Sequence, residues 1–154
     1  RLTNTYGPRM RVKDARQTFL GIWLRNLVDH KPLLVFGDGG QLRDFNYIDD
    51  VVNALLLAAA EEKSDGEIFN LGSKEVVSLA ELATTMVALR SGASYSVVPF
   101  PPERKAIDIG DYYSDFTKIE QVLGWKPYVP LSVGLRRSLD YYLMHSEHYW
   151  DQSE

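Results

Sequence analysis

The sequence predicts an α/β protein whose sheet is at least partly parallel. Short apolar runs alternate along the chain with longer segments of helical periodicity, and helix-capping residues flank several of these segments. No linker-like or low-complexity stretch divides the chain. With 154 residues, 45% of them hydrophobic, the chain can bury about one packed core. We therefore expect residues 1–154 to form a single unit in which strands and helices alternate.

The first half of the chain begins with residues 1–3, which would be the tail of a buried strand that Tyr6-Gly7-Pro8 ends. The segment at 50–62 has helical character and is apolar nearly all round, so we expect this helix to be covered on opposite faces. The remaining elements expected here are a helix at 14–29 after a candidate cap, Asp14, and short strands at 33–36 and 45–48.

The second half of the chain has clearer helix boundaries. Ser78 and Glu81 form a capping box that opens a helix to about Arg90, and Gly92 stops it. Asp115 caps a short helix that ends at Gly124. The remaining elements are strands at 68–71 and 95–98, a loop at 101–105, and a last helix from Ser132 with Leu135, Leu139 and Leu143 on one face.

The composition argues against several functional classes. A net charge of -4 gives no basic surface for nucleic acid. The longest apolar stretch, 51–60, is too short to span a bilayer, so we expect no membrane partner. The absence of cysteine excludes disulfides and thiolate metal sites and fits a cytoplasmic location. His145 and His148 have the spacing of metal ligands one helical turn apart, but a polar helix end explains them better, and we expect no metal site.

The most informative stretch is residues 37–50, GDGGQLRDFNYIDD. An apolar run precedes a glycine turn. After the turn come Arg43, a second extended run and the start of a helix. A tight turn followed by one arginine can present a guanidinium fork at the rim of a pocket, where it suits a phosphate. The alternative is a salt bridge from Arg43 to Asp44 or Asp49. We interpret Asp49 and Asp50 as capping residues, and Asp108, Asp111 and Asp115 as turn and cap residues.

Three segments resemble signatures of the extended short-chain dehydrogenases of the NAD-dependent epimerase/dehydratase family, in particular its UDP-glucose 4-epimerase-like members. Residues 1–9, RLTNTYGPR, resemble R-x-x-N-x-Y-G-P-R. Residues 37–50 resemble the family's glycine turn, R-D-F and Y-[IV]-x-D, and residues 123–127, LGWKP, resemble L-G-W-x-P. The resemblance implies a C-terminal fragment made of a remnant of the Rossmann sheet and the small α/β substrate-binding domain, with the N-terminal NAD-binding part outside it. Because the chain begins with Arg1 in mid-motif, we expect it to be a piece of a longer protein.

The resemblance assigns Arg43 and Arg104 to the diphosphate of a nucleotide sugar. Arg104 follows a strand and a proline pair, as the family's second phosphate arginine does, although the spacing to Asp115 in some members would select Lys105 instead. We prefer Arg104 because its fork fits two phosphate oxygens. The alternative for Arg104 is a solvated loop charge.

The resemblance also points to five residues around the sugar and base. Tyr112 lies where the family often has an aromatic that contacts the sugar, and Asn4 matches an asparagine whose amide can bridge a sugar hydroxyl or phosphate. Phe36 lies where the family places a residue against the base. Core packing is the alternative for Tyr112 and Phe36, and a turn role is the alternative for Asn4. Thr18 and Phe19 fall near positions that contact substrate, on a loose alignment.

The chemistry of hydride transfer is missing from this sequence. None of the nine tyrosines has lysine four positions on, so the family's Tyr-x-x-x-Lys pair is absent. The turn at Gly37 to Gly40 is no dinucleotide loop, because its third glycine position is Leu42 and the following run is extended. We assign no catalytic residue and leave the cofactor-binding residues unknown. The fragment alone should be inactive.

The resemblance implies a parent enzyme that uses NAD to oxidise a nucleotide-diphosphate sugar at C4, forming a 4-keto intermediate, and then epimerises it. A 4,6-dehydratase or decarboxylase of the same family is the runner-up, and a noncatalytic binding module is the alternative from another class. The family often forms homodimers, so a homodimer of the parent enzyme is a further expectation.

Overall fold

Two small sheets organise the fold in the computed structural model, which describes residues 1–13 and 18–150. In the first sheet the order is β1-β3-β4, with β1 parallel and β4 antiparallel to β3. In the second sheet β2 and β5 pair in parallel. The strands are β1 (Asn4–Tyr6), β2 (Leu33–Phe36), β3 (Leu42–Tyr47), β4 (Val76–Ser78) and β5 (Tyr95–Val98). The predicted α/β class with a partly parallel sheet is confirmed.

The helices lie between and after these strands. They are α1 (Phe19–Val28), α2 (Ile48–Ala60), α3 (Leu79–Val87), α4 (Pro102–Lys105), α5 (Thr117–Leu123) and α6 (Leu131–His145), with short 3-10 turns at Glu62–Ser64 and Ser146–His148. The capping box is present, because Ser78 accepts from the backbone N–H of Glu81 while the Glu81 carboxylate accepts from the N–H of Ser78. Asp115 accepts from the N–H of Thr117 at 2.8 Å, and Gly124 ends α5 with φ +70°.

The main core packs α1, α3 and α6 against β1, β2 and β3. Tyr6 contacts Phe45 and Tyr47 edge to face, with ring centroids 6.2 and 5.6 Å apart. A second core lies beneath α2 and is centred on Trp125, the tryptophan of the LGWKP segment. The Trp125 indole donates to the backbone oxygen of Asp50, and the Asp50 carboxylate accepts from the N–H of Val129 at 3.0 Å. Asp50 therefore anchors the LGWKP region. The interpretation of Asp49 and Asp50 as capping residues was wrong, because the cap of α2 is Tyr47 and no side chain makes a capping bond there.

Several predicted elements differ from the structure. The first strand begins at Asn4, where pairing with β3 starts, and Arg1 and Leu2 are exposed, so residues 1–3 are not the tail of a buried strand. Residues 68–71 form no strand. Two bonds join them to Arg1: the Arg1 ammonium donates to the backbone oxygen of Phe69, and the N–H of Leu71 donates to the backbone oxygen of Arg1. Residues 102–105 form α4 where a loop was predicted, since Pro102 suits a first helical position.

Three helix predictions also need correction. Helix α1 begins at Phe19 with Thr18 as its cap, while the predicted cap Asp14 lies outside the described residues. On α6, Leu135 and Leu139 are fully buried but Leu143 is exposed. Helix α2 lies within two residues of its predicted bounds at either end, yet no described residue covers its outer face. Leu55 is 59% and Leu56 is 65% exposed, so the prediction of a helix covered on opposite faces is wrong for this chain.

Candidate functional site

Strand β3 positions most of the candidate residues by sending alternate side chains to opposite faces. Arg43 and Phe45 leave one face, and Asp44 and Asn46 leave the other. The four side chains are all buried, Arg43 being 7% exposed. Polar residues are buried here because β3 is the central strand of its sheet, with β1 on one side and β4 on the other.

A pocket of about 340 Å³ opens beside β1 on the Phe45 face of β3. It brings together three of the residues that the sequence predicted for the substrate site, namely Asn4, Thr18 and Phe19. The other lining residues are Leu2, Thr3, Thr5, Leu20 and Phe45. The walls thus combine apolar side chains with a few hydroxyl and amide groups, as small-molecule sites in proteins do.

The polar groups of this pocket are held by local bonds. The Asn4 amide donates to the backbone oxygen of Asp44 at 2.9 Å, and the Thr18 hydroxyl accepts from the N–H of Gly21 at 3.3 Å. The Thr18 hydroxyl hydrogen can still donate to a ligand. The Thr5 hydroxyl oxygen is buried without a hydrogen-bond partner. Sequence reasoning missed Thr5, because a hydroxyl in a short strand carries no functional signal.

The guanidinium of Arg43 lies beneath a segment of residues 107–111, which we call the strap. Its Nη1 donates to the backbone oxygens of Leu42, at 2.8 Å, and Gly110. Its Nη2 lies 3.7 Å from the Asp108 carboxylate. The sequence had placed this guanidinium open at a pocket rim, with Asp44 or Asp49 as the alternative partners. Both parts of that expectation need correction: the guanidinium is covered, and its partner is Asp108.

The strap is fastened to the first residues of β3. Leu42 donates its N–H to Asp111 at 2.8 Å and accepts the N–H of Tyr112 at 2.9 Å. Gln41 makes a longer contact, 3.5 Å, from its amide nitrogen to Asp108. The interpretation of Asp108 and Asp111 as local turn residues was therefore wrong, because the contacts join segments more than sixty positions apart in sequence.

The remaining predicted residues lie outside the lining of the pocket. Arg104 is half-buried in α4 and accepts the N–H of Ile107 on its backbone oxygen at 3.2 Å, so it adjoins the strap. Tyr112 pairs with Arg43 by a parallel bridge and is 43% exposed, which excludes the core role that we had considered for it. Phe36 is half-buried at the end of β2, where its ring lies 5.7 Å from that of Phe100. The structure thus gathers Asn4, Thr18 and Phe19 at the pocket and Arg43, Arg104 and Tyr112 at the strap, while Phe36 lies in neither group.

The Asp44 carboxylate joins the back of β3 to two loops. One of its oxygens accepts from the N–H groups of Ser73, at 3.1 Å, and Ser114, at 3.2 Å. A Cβ on Gly72 would contact the Ser114 backbone oxygen and lie 3.1 Å from this carboxylate, so glycine permits the close approach. Burial raises the pKa of the Asp44 carboxyl above its ordinary value, and the two backbone donors oppose that rise.

The described residues hold no cluster of metal ligands, and their glycine turn makes bonds within the chain. No group of three or more His, Cys, Asp and Glu side chains within residues 1–13 and 18–150 could hold a metal ion. In the glycine turn, Gly40 donates to Asp38 and Gly39 accepts from the N–H of Ala80. A Cβ on Gly39 would lie 2.6 Å from Val35 of β2 and 3.1 Å from Ala80 of α3, so this glycine lets the turn pack closely against both elements. In the same residues, every helix is too short or too polar to cross a membrane.

Comparisons with known proteins identify the family. The NAD dependent epimerase/dehydratase family matches residues 1–72. The chain is 33% identical over 148 residues to UDP-glucuronic acid decarboxylase 1 of Danio rerio, which aligns with 96% of the chain and 34% of the relative. The chain is thus similar to one part of the proteins of the NAD dependent epimerase/dehydratase family.

Solved structures of this family share the fold. The UDP-glucose 4-epimerase of Thermotoga maritima, solved with UDP-glucose, superposes with a TM-score of 0.79 at 30% identity, over 92% of the chain and 44% of the epimerase. The dTDP-glucose 4,6-dehydratase DesIV of Streptomyces venezuelae, solved with NAD bound, gives 0.80 at 28% identity, over 97% of the chain and 44% of the dehydratase. The chain thus spans less than half the length of each of these three relatives. The family is NAD-dependent, and the dehydratase structure contains bound NAD.

The contacts of Asp44 predict a graded effect of substitution on folding. Asp44→Ala leaves the N–H groups of Ser73 and Ser114 buried without an acceptor, so we expect the free energy of unfolding to fall by about 2–4 kcal/mol. Asp44→Asn keeps one acceptor oxygen and should cost less. Urea denaturation of the three proteins checks this, and equal losses in the two variants would contradict it.

The raised pKa of Asp44 also predicts a pH dependence with a defined sign. A carboxyl whose pKa is higher in the folded state adds stability when protonated and loses that contribution as pH rises through the folded-state pKa. The wild type should therefore gain stability relative to Asp44→Asn as pH falls from about 7 toward the ordinary carboxyl pKa of about 4. A difference that stays constant or changes in the opposite direction would contradict the assignment.

Proposed function

We propose that this chain is the substrate-binding part of an NAD-dependent nucleotide-sugar epimerase that acts through a 4-keto intermediate. The pocket beside β1, with Asn4, Thr18 and Phe19 in its wall, is the observation that carries the proposal. On this view the chain itself performs no bond chemistry. It holds the nucleotide sugar in one orientation, which lowers the entropic cost of reaching the reactive geometry.

Each candidate residue has a role that its chemistry supports. Arg43 lies two residues from Phe45 on the same strand face, about 7 Å along β3, so a ligand in the pocket could extend its diphosphate toward the guanidinium. Arg104, which lies in α4 just before the strap, would be the second phosphate-binding residue. Asn4 and Thr18 would hydrogen-bond the sugar or a phosphate, as Phe19 packs beside them. Phe36 would stack on the base, and the exposed ring of Tyr112 would contact the sugar.

The NAD-binding part of the enzyme would lie outside this chain and cover the outer face of α2. That face carries the apolar stripe Val52, Leu55, Leu56 and Ala59, spaced as neighbours on one side of a helix. Exposed apolar patches of this kind mark interaction sites. The stripe supports a single substrate-binding unit that needs a partner domain. The same proposal includes a homodimer of the whole enzyme. It also includes a cytoplasmic location, which the cysteine-free sequence suggests.

A decarboxylase or 4,6-dehydratase is the second candidate, favoured by the 33% identity to UDP-glucuronic acid decarboxylase 1. The three reactions share the 4-keto stage. An epimerase then inverts C4 without loss of a group, a decarboxylase releases carbon dioxide and a dehydratase releases water, so the products separate them. The enzyme that contains this chain should be incubated with UDP-glucose, UDP-glucuronic acid and dTDP-glucose, and its products analysed by NMR. A C4 epimer supports the proposal; loss of carbon dioxide or water supports the second candidate. Binding without turnover supports a noncatalytic module.

The assignment of Arg43 predicts a loss of ligand affinity. Charge-assisted hydrogen bonds contribute about 1.5–3 kcal/mol each, so Arg43→Ala should raise the Kd for UDP-glucose about 10- to 150-fold. Calorimetry on the enzyme measures this, with Arg136→Ala as the matched control because Arg136 is exposed on α6. If Arg43→Ala keeps both its melting temperature and its affinity, Arg43 does not bind phosphate.

The apolar stripe predicts opposite effects of one substitution in two contexts. Leu56→Lys places a charge on the outer face of α2, where it should destabilise the whole enzyme but leave the isolated chain equally stable and less prone to self-associate. Thermal melting and light scattering check both outcomes. Met144→Lys, at an equally exposed position on α6, is the control. Unchanged stability of the whole enzyme would show that the stripe is not covered there.

A further inference from the structure

Asp108 occupies the position on Arg43 that an anionic ligand would take. We propose that Asp108 is an internal counter-anion of the phosphate site, which the diphosphate displaces on binding, so that this residue sets the affinity of the site for phosphate. The inference rests on the proposed function, because it assumes that Arg43 meets the diphosphate.

The two terminal nitrogens of Arg43 are engaged unequally. Nη1 donates to the backbone oxygens of Leu42 and Gly110. Nη2 has Asp108 as its partner among the described residues, at 3.7 Å, well beyond the roughly 2.7–2.9 Å of a charge-assisted hydrogen bond. The pair is therefore an ion contact without a short hydrogen bond. The Nη2 side of the fork remains the better position for an incoming phosphate oxygen.

Asp108 is held loosely compared with the residue that fastens the strap. Its side chain is 25% exposed, and its second contact is the 3.5 Å approach of the Gln41 amide. Asp111, three residues later, accepts from Leu42 at 2.8 Å. Gly110, between the two, has φ +66° and open space where a Cβ would point. Displacing Asp108 therefore breaks long contacts while the shorter ones at Asp111 and Tyr112 keep the strap on β3.

When the diphosphate displaces Asp108, one anion replaces another beside the buried Arg43 guanidinium. The guanidinium therefore keeps an anionic partner, but the ligand must break the Asp108 contact in order to bind. Partly exposed ion pairs contribute about 0.2–1 kcal/mol, so removing the carboxylate should strengthen phosphate binding by no more than about fivefold. A ligand without phosphate gains nothing, since it does not approach Arg43. Asp108 thus lowers the affinity for the phosphate part of the ligand and leaves the affinity for the rest of the ligand unchanged.

The test is Asp108→Asn in the enzyme that contains this chain, measured by calorimetry with UDP and with uridine. We expect UDP to bind about two- to fivefold more tightly and uridine to bind as in the wild type. Asp140→Asn, a partly exposed carboxylate paired with Arg136, is the matched control and should change neither affinity. Asp108→Ala is the second variant if Asp108→Asn melts at a lower temperature.

A double variant separates this inference from the proposed function. In an Arg43→Ala background, Asp108→Asn should no longer alter the affinity for UDP, because the contact it relieves is gone. An Asp108→Asn enzyme that binds UDP equally or more weakly, or a gain that persists without Arg43, overturns the inference. If Arg43→Ala alone leaves UDP affinity unchanged, the phosphate role of Arg43 fails, and the inference fails with it. If Arg43→Ala weakens UDP binding and Asp108→Asn does not strengthen it, only the inference fails.

Discussion

The buried carboxylate of Asp44 is the interaction on which the site depends most. It draws the backbone of Ser73 and Ser114 onto the back of β3, a strand that is already paired with β1 and β4. The bond to Ser114 lies two residues beyond Tyr112, where the strap over Arg43 is joined to Leu42. The arrangement buries a charge, and two backbone donors offset part of its desolvation cost. The adjacent residues Arg43 and Asp44 of the R-D-F segment thus have different roles. Asp44 holds the two loops, and Arg43 is the residue that would meet the proposed ligand.

Most of the candidate residues lie in two groups, one at the pocket beside β1 and one at the strap over Arg43. The pocket beside β1 offers apolar walls and a few fixed hydroxyl and amide groups, which suits a sugar or base. The strap region offers buried positive charge, which suits a diphosphate. A long ligand with an anionic middle would link the two parts. Under the proposed function, positioning of the nucleotide sugar is the role of this chain in the chemistry that the family performs with NAD.

Much of the fold could be predicted from the sequence because its signals are local. The capping box at Ser78, the Gly124 stop and the apolar runs each act within a few residues. The partners of Arg43 and the true role of Asp50 could not be predicted, since their contacts join segments more than sixty positions apart. The strand predicted at 68–71 failed for a related reason: a β-propensity run becomes a strand only beside a neighbour that supplies a hydrogen-bond ladder. Asn4, Thr18 and Phe19 were predicted by resemblance and do meet at one pocket.

The most direct measurement is a crystal structure of the enzyme that contains this chain with UDP-glucose bound. The account predicts density for the ligand in the pocket beside β1, with a diphosphate oxygen within hydrogen-bond distance of the Arg43 guanidinium and the Asp108 carboxylate moved away. A ligand bound elsewhere, or one seated in this pocket while Arg43 keeps its contact with Asp108 and meets no phosphate, would contradict it.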